Sequence, residues 1–290
     1  MMKIAISGST GFIGKQLTEF LLLRGYEIIT ISRKDFSGTD NQLAKIINSA
    51  DVIINLAGSS VLCRWNTRNR EQILSSRIKT TRMLMDAIRI NASDHRPGVF
   101  INASAIGIYK ESEIHDETSK VFNDDFLAYV CKAWEAETIP LNELEIRNCI
   151  IRIGIVLGTT GGTFAKMLPL FKAGLGGKLA SGKQPFSFIH INDYCRAIVH
   201  IIEKGQSSGI YNLVSPQPTT NEIFTKELAC RLNRPALFVV PEIALKIVYG
   251  EAAKLITHGA TVLPTRLINE SFEFGFPDIS SAIKELVKKK

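Results

Sequence analysis

Short apolar runs and amphipathic stretches alternate along the first half of the chain. Apolar runs occupy 3–7, 26–32, 51–57, 98–103 and 147–157, each bounded by turn-forming residues. Between them, apolar residues recur every three or four positions over 12–24, 41–49, 66–91 and 124–138. The short runs predict buried strands, and the longer spacing predicts helices with one apolar face. Strands alternating with helices predict a parallel sheet covered on both faces, since parallel strands need crossovers long enough to hold a helix. The connection from Arg33 to Asp51 has room for one helix but hardly for a strand and a helix. One strand of the usual doubly wound order is therefore expected to be missing or vestigial.

Beyond residue 158 the texture changes. Glycine-rich turns at 158–162, 174–178 and 181–183 punctuate shorter elements. Helices are predicted near 164–172, 193–204, 219–232, 242–257 and 279–288, and strands at 186–191 and 210–214. The expected organisation is a Rossmann-type α/β domain over 1–158, with a doubly wound parallel sheet. A smaller α/β substrate or lid region follows over 159–290, its elements free to return to the sheet.

The first strand runs straight into a candidate site. Ile4-Ala5-Ile6 is followed by Gly8, Gly11 and Gly14, and the helical pattern Phe12, Ile13, Leu17, Phe20, Leu21 begins among them. A helix start offers unpaired N–H groups and a partial positive charge, and glycine lets the backbone approach a diphosphate. Gly8, Thr10, Gly11, Phe12, Ile13 and Gly14 are thus the expected cradle of a dinucleotide. The spacing is GxxGxxG, not GxGxxG. An acidic residue ending the second strand would bind the ribose 2′-hydroxyl of NAD, and a basic one the 2′-phosphate of NADP. Ser32-Arg33-Lys34 stand there, and the first carboxylate, Asp35, lies past the strand end. The expected cofactor is NADP(H) in preference to NAD, with Arg33 as a planar fork on the phosphate and Ser32 adding a hydroxyl. Leu56, Ala57 and Gly58 end the third strand and leave room for the adenine ribose. Arg77, midway along the 66–91 helix, is a candidate contact to cofactor phosphate or ribose.

Composition narrows the classes. The chain has 290 residues, 45% hydrophobic and 22% charged, as globular proteins do. Five cysteines without a CxxC pair read as reduced thiols of a cytoplasmic protein rather than as disulfides or a zinc site. The N-terminal apolar run stops at Ser7, unlike a signal peptide, and no run approaches the ~20 residues of a membrane span. The net charge of +7 includes a Lys288-Lys289-Lys290 tail and a basic cluster over Arg64–Arg82. Without interleaved aromatics or a known module, this charge does not predict nucleic-acid binding. It suits a phosphate-bearing cofactor and a small anionic substrate, a nucleotide sugar among them, near Lys166, Lys172, Lys178 and Lys183.

These segments resemble the extended (atypical) short-chain dehydrogenase/reductases. Residues 8–14, Asn55-Leu56-Ala57-Gly58 and Phe188-Ile189-His190-Ile191-Asn192-Asp193 match their glycine turn, strand end and FIHVDD segment. The chain is similar to one subgroup, epimerase-family proteins regarded as NADP-dependent oxidoreductases. The match rests on Arg64-Trp65-Asn66, Ser76-Arg77, 152–158, 166–169, 174–177, 181–184 and 211–216. Residues 234–276 resemble the subgroup's C-terminal domain of unknown function. The resemblance implies hydride transfer at a carbon bearing oxygen, by a reductase or by an epimerase through a transient ketone, and is compatible with a homodimer.

Members of that family use a Ser or Thr together with a Tyr and a Lys four apart on one helix. Here the helix reads Phe126-Leu127-Ala128-Tyr129-Val130-Cys131-Lys132-Ala133-Trp134-Glu135. Lys132 as the lysine puts Ala128 at the tyrosine position; Tyr129 as the tyrosine puts Ala133 at the lysine position. Tyr129 and Lys132 are expected to be ordinary helix residues and Trp134 a core residue, a displaced i,i+3 pair being the alternative. Ser104 is the candidate hydrogen-bond donor to substrate, in a register that leaves Ala105 as the other option. His190 is expected to be structural. A competing reading is a catalytically degenerate NADP-binding sensor or regulatory protein.

Overall fold

A computed structural model of the chain describes residues 1–38, 40–90, 96–111, 113–203 and 208–288; Lys289 and Lys290 of the basic tail lie outside them. In chain order the first half builds β1 (Lys3–Ser7), α1 (Phe12–Leu23), β2 (Glu27–Ile31), α2 (Asp40–Asn48), β3 (Val52–Asn55), α3 (Thr67–Ile90), β4 (Val99–Ala105), β5 (Ile114–His115), α4 (Phe126–Ala136) and β6 (Arg147–Ile153). The second half adds β7 (Ile155–Leu157), α5 (Gly162–Lys172), β8 (Gly177–Leu179), β9 (Phe188–His190), α6 (Ile191–Glu203), β10 (Gly209–Leu213), α7 (Asn221–Leu232) and β11 (Phe238–Val240). It closes with α8 (Glu242–Tyr249), α9 (Lys254–Thr257), β12 (Thr261–Val262), α10 (Thr265–Asn269) and α11 (Ile279–Leu286).

Six strands form one parallel sheet in the order β10-β6-β4-β3-β1-β2. Alternate residues of each strand face opposite layers. Ile4, Ile6, Ile54, Ile101 and Ile151 join Leu17 and Leu21 of α1 and the apolar face of α6. Ala5, Ile53 and Phe100 join Leu43 and Ile47 of α2 and Leu84 and Ile88 of α3. Each buried aliphatic side chain of this size contributes roughly 1.5–3 kcal/mol. Among the described residues β2 is the sheet edge, so the strand that usually lies beyond it is absent, as the short Arg33–Asp51 connection implied.

The apolar run 147–157 is not one strand. A Cβ at Gly154 would lie 2.6 Å from Ser187 O and 2.8 Å from Val214 Cγ1. The chain presses against its neighbours there and leaves the main sheet, and β7 pairs with β9 instead. The stretch 242–257 is also divided: α8 ends at Gly250 (φ +61), and a 3₁₀ turn precedes α9. From beyond residue 158, β10 returns to complete the sheet beside β6, and α6 packs against α1. A separate core forms around Phe164, Phe171, Phe188 and Phe224, with Phe186 stacked on Phe224 at 4.5 Å. Among the described residues no helix is long and apolar enough to cross a membrane, and no side chains gather as a metal site. All five cysteines are free thiols.

Candidate functional site

The chain leaves β1 at Gly8, whose φ of +77° suits glycine. A Cβ there would lie 2.8 Å from the carbonyl of Leu56, so the turn abuts the end of β3. Gly14 fits α1 against the same turn, since a Cβ on it would come 2.2 Å from Gly8 O. Gly11 differs from both. It is the N-cap of α1 with no side-chain cap, and a Cβ on it would meet just Gly8 O, at 3.4 Å. Space therefore stands in front of the first N–H groups of α1, and the first turn carries no acidic residue to offset their positive end. The three glycines thus differ in place: Gly8 makes the tight turn, Gly11 leaves the approach to the helix start open, and Gly14 lets α1 pack on the turn, the division of roles that a dinucleotide-binding glycine turn requires. Thr10 and Gly11 are exposed, while Phe12 and Ile13 are half-buried. Phe12 packs under the loop at 158–162, where a Cβ on Gly161 would touch its ring at 2.7 Å.

At the end of β2, Ser32, Arg33 and Lys34 are exposed. Asp35 folds back, its Oδ2 accepting from the Ser32 N–H at 2.7 Å and the Ser32 hydroxyl at 2.6 Å. These hydrogen bonds hold its carboxyl below the usual range. The acidic group is engaged by its own turn, and so is the Ser32 hydroxyl. Arg33 and Lys34 stand beside it.

Arg77 reaches from α3 across the end of β3. A Cβ on Gly58 would lie 2.9 Å from its guanidinium carbon, while Leu56 and Ala57 beside it are half-buried. Its Nη1 donates to the carbonyls of Ser59 (3.2 Å) and Ile73 (3.0 Å), and the group lies over the Trp134 ring at 5.1 Å. Burial pushes its pKa down. A desolvated cation held by carbonyls and a ring favours an incoming anion.

Beneath these residues lies a buried polar cluster that sequence reasoning missed. Asn55 accepts from the Ser7 hydroxyl (2.6 Å) and donates to Thr81 Oγ1 and Asn102 Oδ1, both at 2.8 Å. Trp134 Nε1 also donates to Thr81, at 2.9 Å. Ser7, Asn55 and Asn102 are paired across β1, β3 and β4. The available signal was a polar residue at or near the carboxyl end of three of the apolar runs, 3–7, 51–57 and 98–103. The cluster fixes the strand ends on which the glycine turn and the Gly58 loop are mounted.

On α4, Leu127, Ala128, Val130, Cys131 and Trp134 face inward. Tyr129 is 58% exposed, and Lys132 Nζ donates to Asn123 O at 3.0 Å on the surface. The displaced tyrosine–lysine pair does not form here. Burial pushes the Cys131 thiol up to about 11, which leaves it unreactive.

Ser104 is 3% exposed and Ala105 after it half-buried. The Ser104 hydroxyl donates to Glu135 Oε1 at 2.6 Å. Arg152 Nε and Nη2 grip the same carboxylate at 2.9 and 2.7 Å, and Nη1 donates to the Tyr109 hydroxyl at 2.9 Å. Tyr109 in turn donates to Asn212 Oδ1 at 2.8 Å. Burial works against the charge of Arg152; the Glu135 carboxylate outweighs it and leaves its pKa above the ordinary value. The spacings 104, 109, 135, 152 and 212 carry no periodic signal, and none of these contacts was visible in the sequence.

His190 is buried, its Nδ1 accepting from the Asn192 N–H at 3.1 Å and its ring 3.9 Å from Phe276. Burial pulls its pKa from 6.5 to about 4, so the ring is neutral when folded. The unfolded chain takes up that proton first. This contribution to stability is whole above pH 6.5, falls as the pH drops, and levels off below about 4. At the acid end the loss is about 3 kcal/mol. Denaturant unfolding across that window should show a shallower slope for His190→Gln than for the natural chain; equal slopes would remove His190 as a source of acid lability.

A model of the NAD-dependent epimerase/dehydratase family matches residues 4–213, and one of a domain of unknown function, DUF1731, matches residues 240–286. The mouse epimerase family protein SDR39U1 is 35% identical, over 99% of this chain and 100% of its own length. An Arabidopsis thaliana homologue of SDR39U1, described as chloroplastic, is 33% identical over 99% of this chain and 87% of its own. The crystal structure of human SDR39U1 (isoform 2) with NADPH superposes with a TM-score of 0.91 at 32% identity, covering 98% of this chain and 99% of that one.

Proposed function

The chain belongs to the NAD-dependent epimerase/dehydratase family, and from that premise we propose that it binds NADP(H) and acts as an oxidoreductase or epimerase on a small molecule. The observation that carries the cofactor reading is the open backbone at Gly11, set between the basic turn at Arg33 and the desolvated Arg77. The α1 N–H groups would take the diphosphate, Leu56, Ala57 and Gly58 the adenosine ribose, and Arg77 a phosphate or ribose oxygen. Arg33 would grip the 2′-phosphate, flanked by Ser32, which also shapes the Asp35 turn. The NADPH in the human relative supports NADP over NAD. Bound here, the nicotinamide would donate or accept hydride. The exposed Lys166, Lys172 and Lys183 favour an anionic substrate. The free thiols favour a reducing compartment such as the cytoplasm.

Arg33→Glu should weaken NADPH about 100-fold, the equivalent of losing a charge-assisted contact of roughly 3 kcal/mol, and change NADH by a few-fold at most. Fluorescence titration with both nucleotides measures this. Equal losses would take Arg33 off the 2′-phosphate. One observation favours a sensor instead: α4 turns Ala128 and Cys131, not a tyrosine and a lysine, toward the sheet. Retained NADPH binding without turnover of any alcohol, carbonyl or nucleotide sugar would select that reading.

A further inference from the structure

We propose that Ser104 and Glu135 form a proton relay in place of the missing tyrosine–lysine pair, and that the site is built to meet an alcohol rather than a carbonyl. The inference rests on the oxidoreductase reading above and names the group on which it acts. A serine hydroxyl has one proton and two lone pairs, a guanidinium only donates, and a carboxylate only accepts. Those rules fix the polarity of the whole chain. Arg152 donates to both oxygens of Glu135 and to Tyr109, Tyr109 must pass its proton to Asn212 Oδ1, and the Asn212 amide donates to Leu263 O at 3.1 Å. The remaining partner of Glu135 Oε1 is the Ser104 hydroxyl, at a short, charge-assisted 2.6 Å. Its proton is committed inward. Its other polar neighbour is the Cys131 thiol, so a substrate oxygen that reaches Ser104 Oγ would meet a lone pair, and the group that meets a lone pair is a hydroxyl. The serine in the related enzymes was expected to donate to the substrate; here it accepts.

Placement supports the relay. Ser104 is the penultimate residue of β4, at the carboxyl edge of the sheet where such folds bind ligands, and it pairs in register with Arg152 of β6. Glu135 is the carboxylate that α4 brings to that edge, its side chain 12% exposed. In the oxidising direction the carbinol C–H and O–H bonds break and a C=O bond forms. The C–H electron pair leaves as hydride to oxidised NADP, the hydroxyl proton moves to Ser104 Oγ, and the proton of Ser104 moves to Glu135 Oε1. Reduction is the reverse, starting from protonated Glu135. Ser104 is the catalytic residue; Glu135 acts through it, and Arg152 positions Glu135.

The test uses the full chain loaded with oxidised NADP. Saturation-transfer NMR with cyclohexanol and cyclohexanone, as members of a matched alcohol–ketone panel, should show a preference for alcohols that Ser104→Ala abolishes while NADP affinity stays within about threefold. In turnover of the same panel, Ser104→Ala and Glu135→Gln should lower kcat about 100-fold or more at unchanged KM for NADP, with partial rescue by Glu135→Asp. If Glu135→Gln does not fold, Ser104→Ala carries the test alone. Turnover in the natural chain with kcat and alcohol preference intact in Ser104→Ala would overturn the relay and spare the oxidoreductase reading. NADP binding with neither turnover nor alcohol preference in the natural chain would overturn both.

Discussion

Gly11→Val yields a folded protein that no longer binds NADPH. The expected rise in Kd is more than ~100-fold, about 3 kcal/mol, since a branched side chain fills the space through which the diphosphate is proposed to reach the α1 N–H groups. The fold itself has little to lose. Gly11 has an extended φ of −72°, which any residue adopts, and its added Cβ meets one atom at an ordinary 3.4 Å. Changing a glycine N-cap costs about 1 kcal/mol or less. A thermal melt within a few degrees of the natural chain, beside calorimetry showing lost NADPH binding, is the predicted pair of results. Gly14→Val is the contrasting case: its Cβ would sit 2.2 Å from Gly8 O, so the turn and helix must separate and stability falls together with binding. Unchanged NADPH affinity in Gly11→Val would take the diphosphate off this loop.

Glu135→Ala has the largest expected effect on stability. Arg152 has a side chain 2% exposed, and its charge is balanced by Glu135 at 2.7 Å. Removing the carboxylate leaves a buried guanidinium unpaired, which costs about 3–5 kcal/mol. The Tyr109 hydroxyl and the Phe122 ring cannot replace it, because one is neutral and the other offers a face 5.3 Å away. Guanidinium unfolding should place the midpoint well below that of the natural chain. The double change Glu135→Ala with Arg152→Met should recover much of the loss, because the penalty lies in the orphaned charge rather than in the missing bond. A single variant as stable as the natural chain would mean that the pair does not hold β4, α4 and β6 together.

What was legible in the sequence depended on how local the cause was. The glycine turn, the βαβ opening and the missing strand beyond β2 follow from spacing within fifty residues, and the structure has them. The single strand expected over 147–157 failed because the break at Gly154 is imposed by Ser187 and Val214, which are distant in sequence. The strands β5, β8, β11 and β12 have two or three residues each, too few to show a period. Tyr129 and Lys132 were legible as ordinary helix residues from their i,i+3 spacing, and their exposure became visible only in the structure. The chain Ser104–Glu135–Arg152–Tyr109–Asn212 was not: it joins two strands, a helix, a turn and the last sheet strand, and nothing periodic links residues that meet only after the sheet has formed.

The basic turn at Arg33 is proposed to read the 2′-phosphate of a pyridine dinucleotide. The direct measurement is isothermal titration of the purified protein with NADPH and NADH side by side at one ionic strength. NADPH should bind at least ~10-fold tighter, the 1.4 kcal/mol or more that a phosphate–guanidinium contact supplies. Equal affinities, or no heat from either nucleotide with folded protein at millimolar concentration, would contradict it.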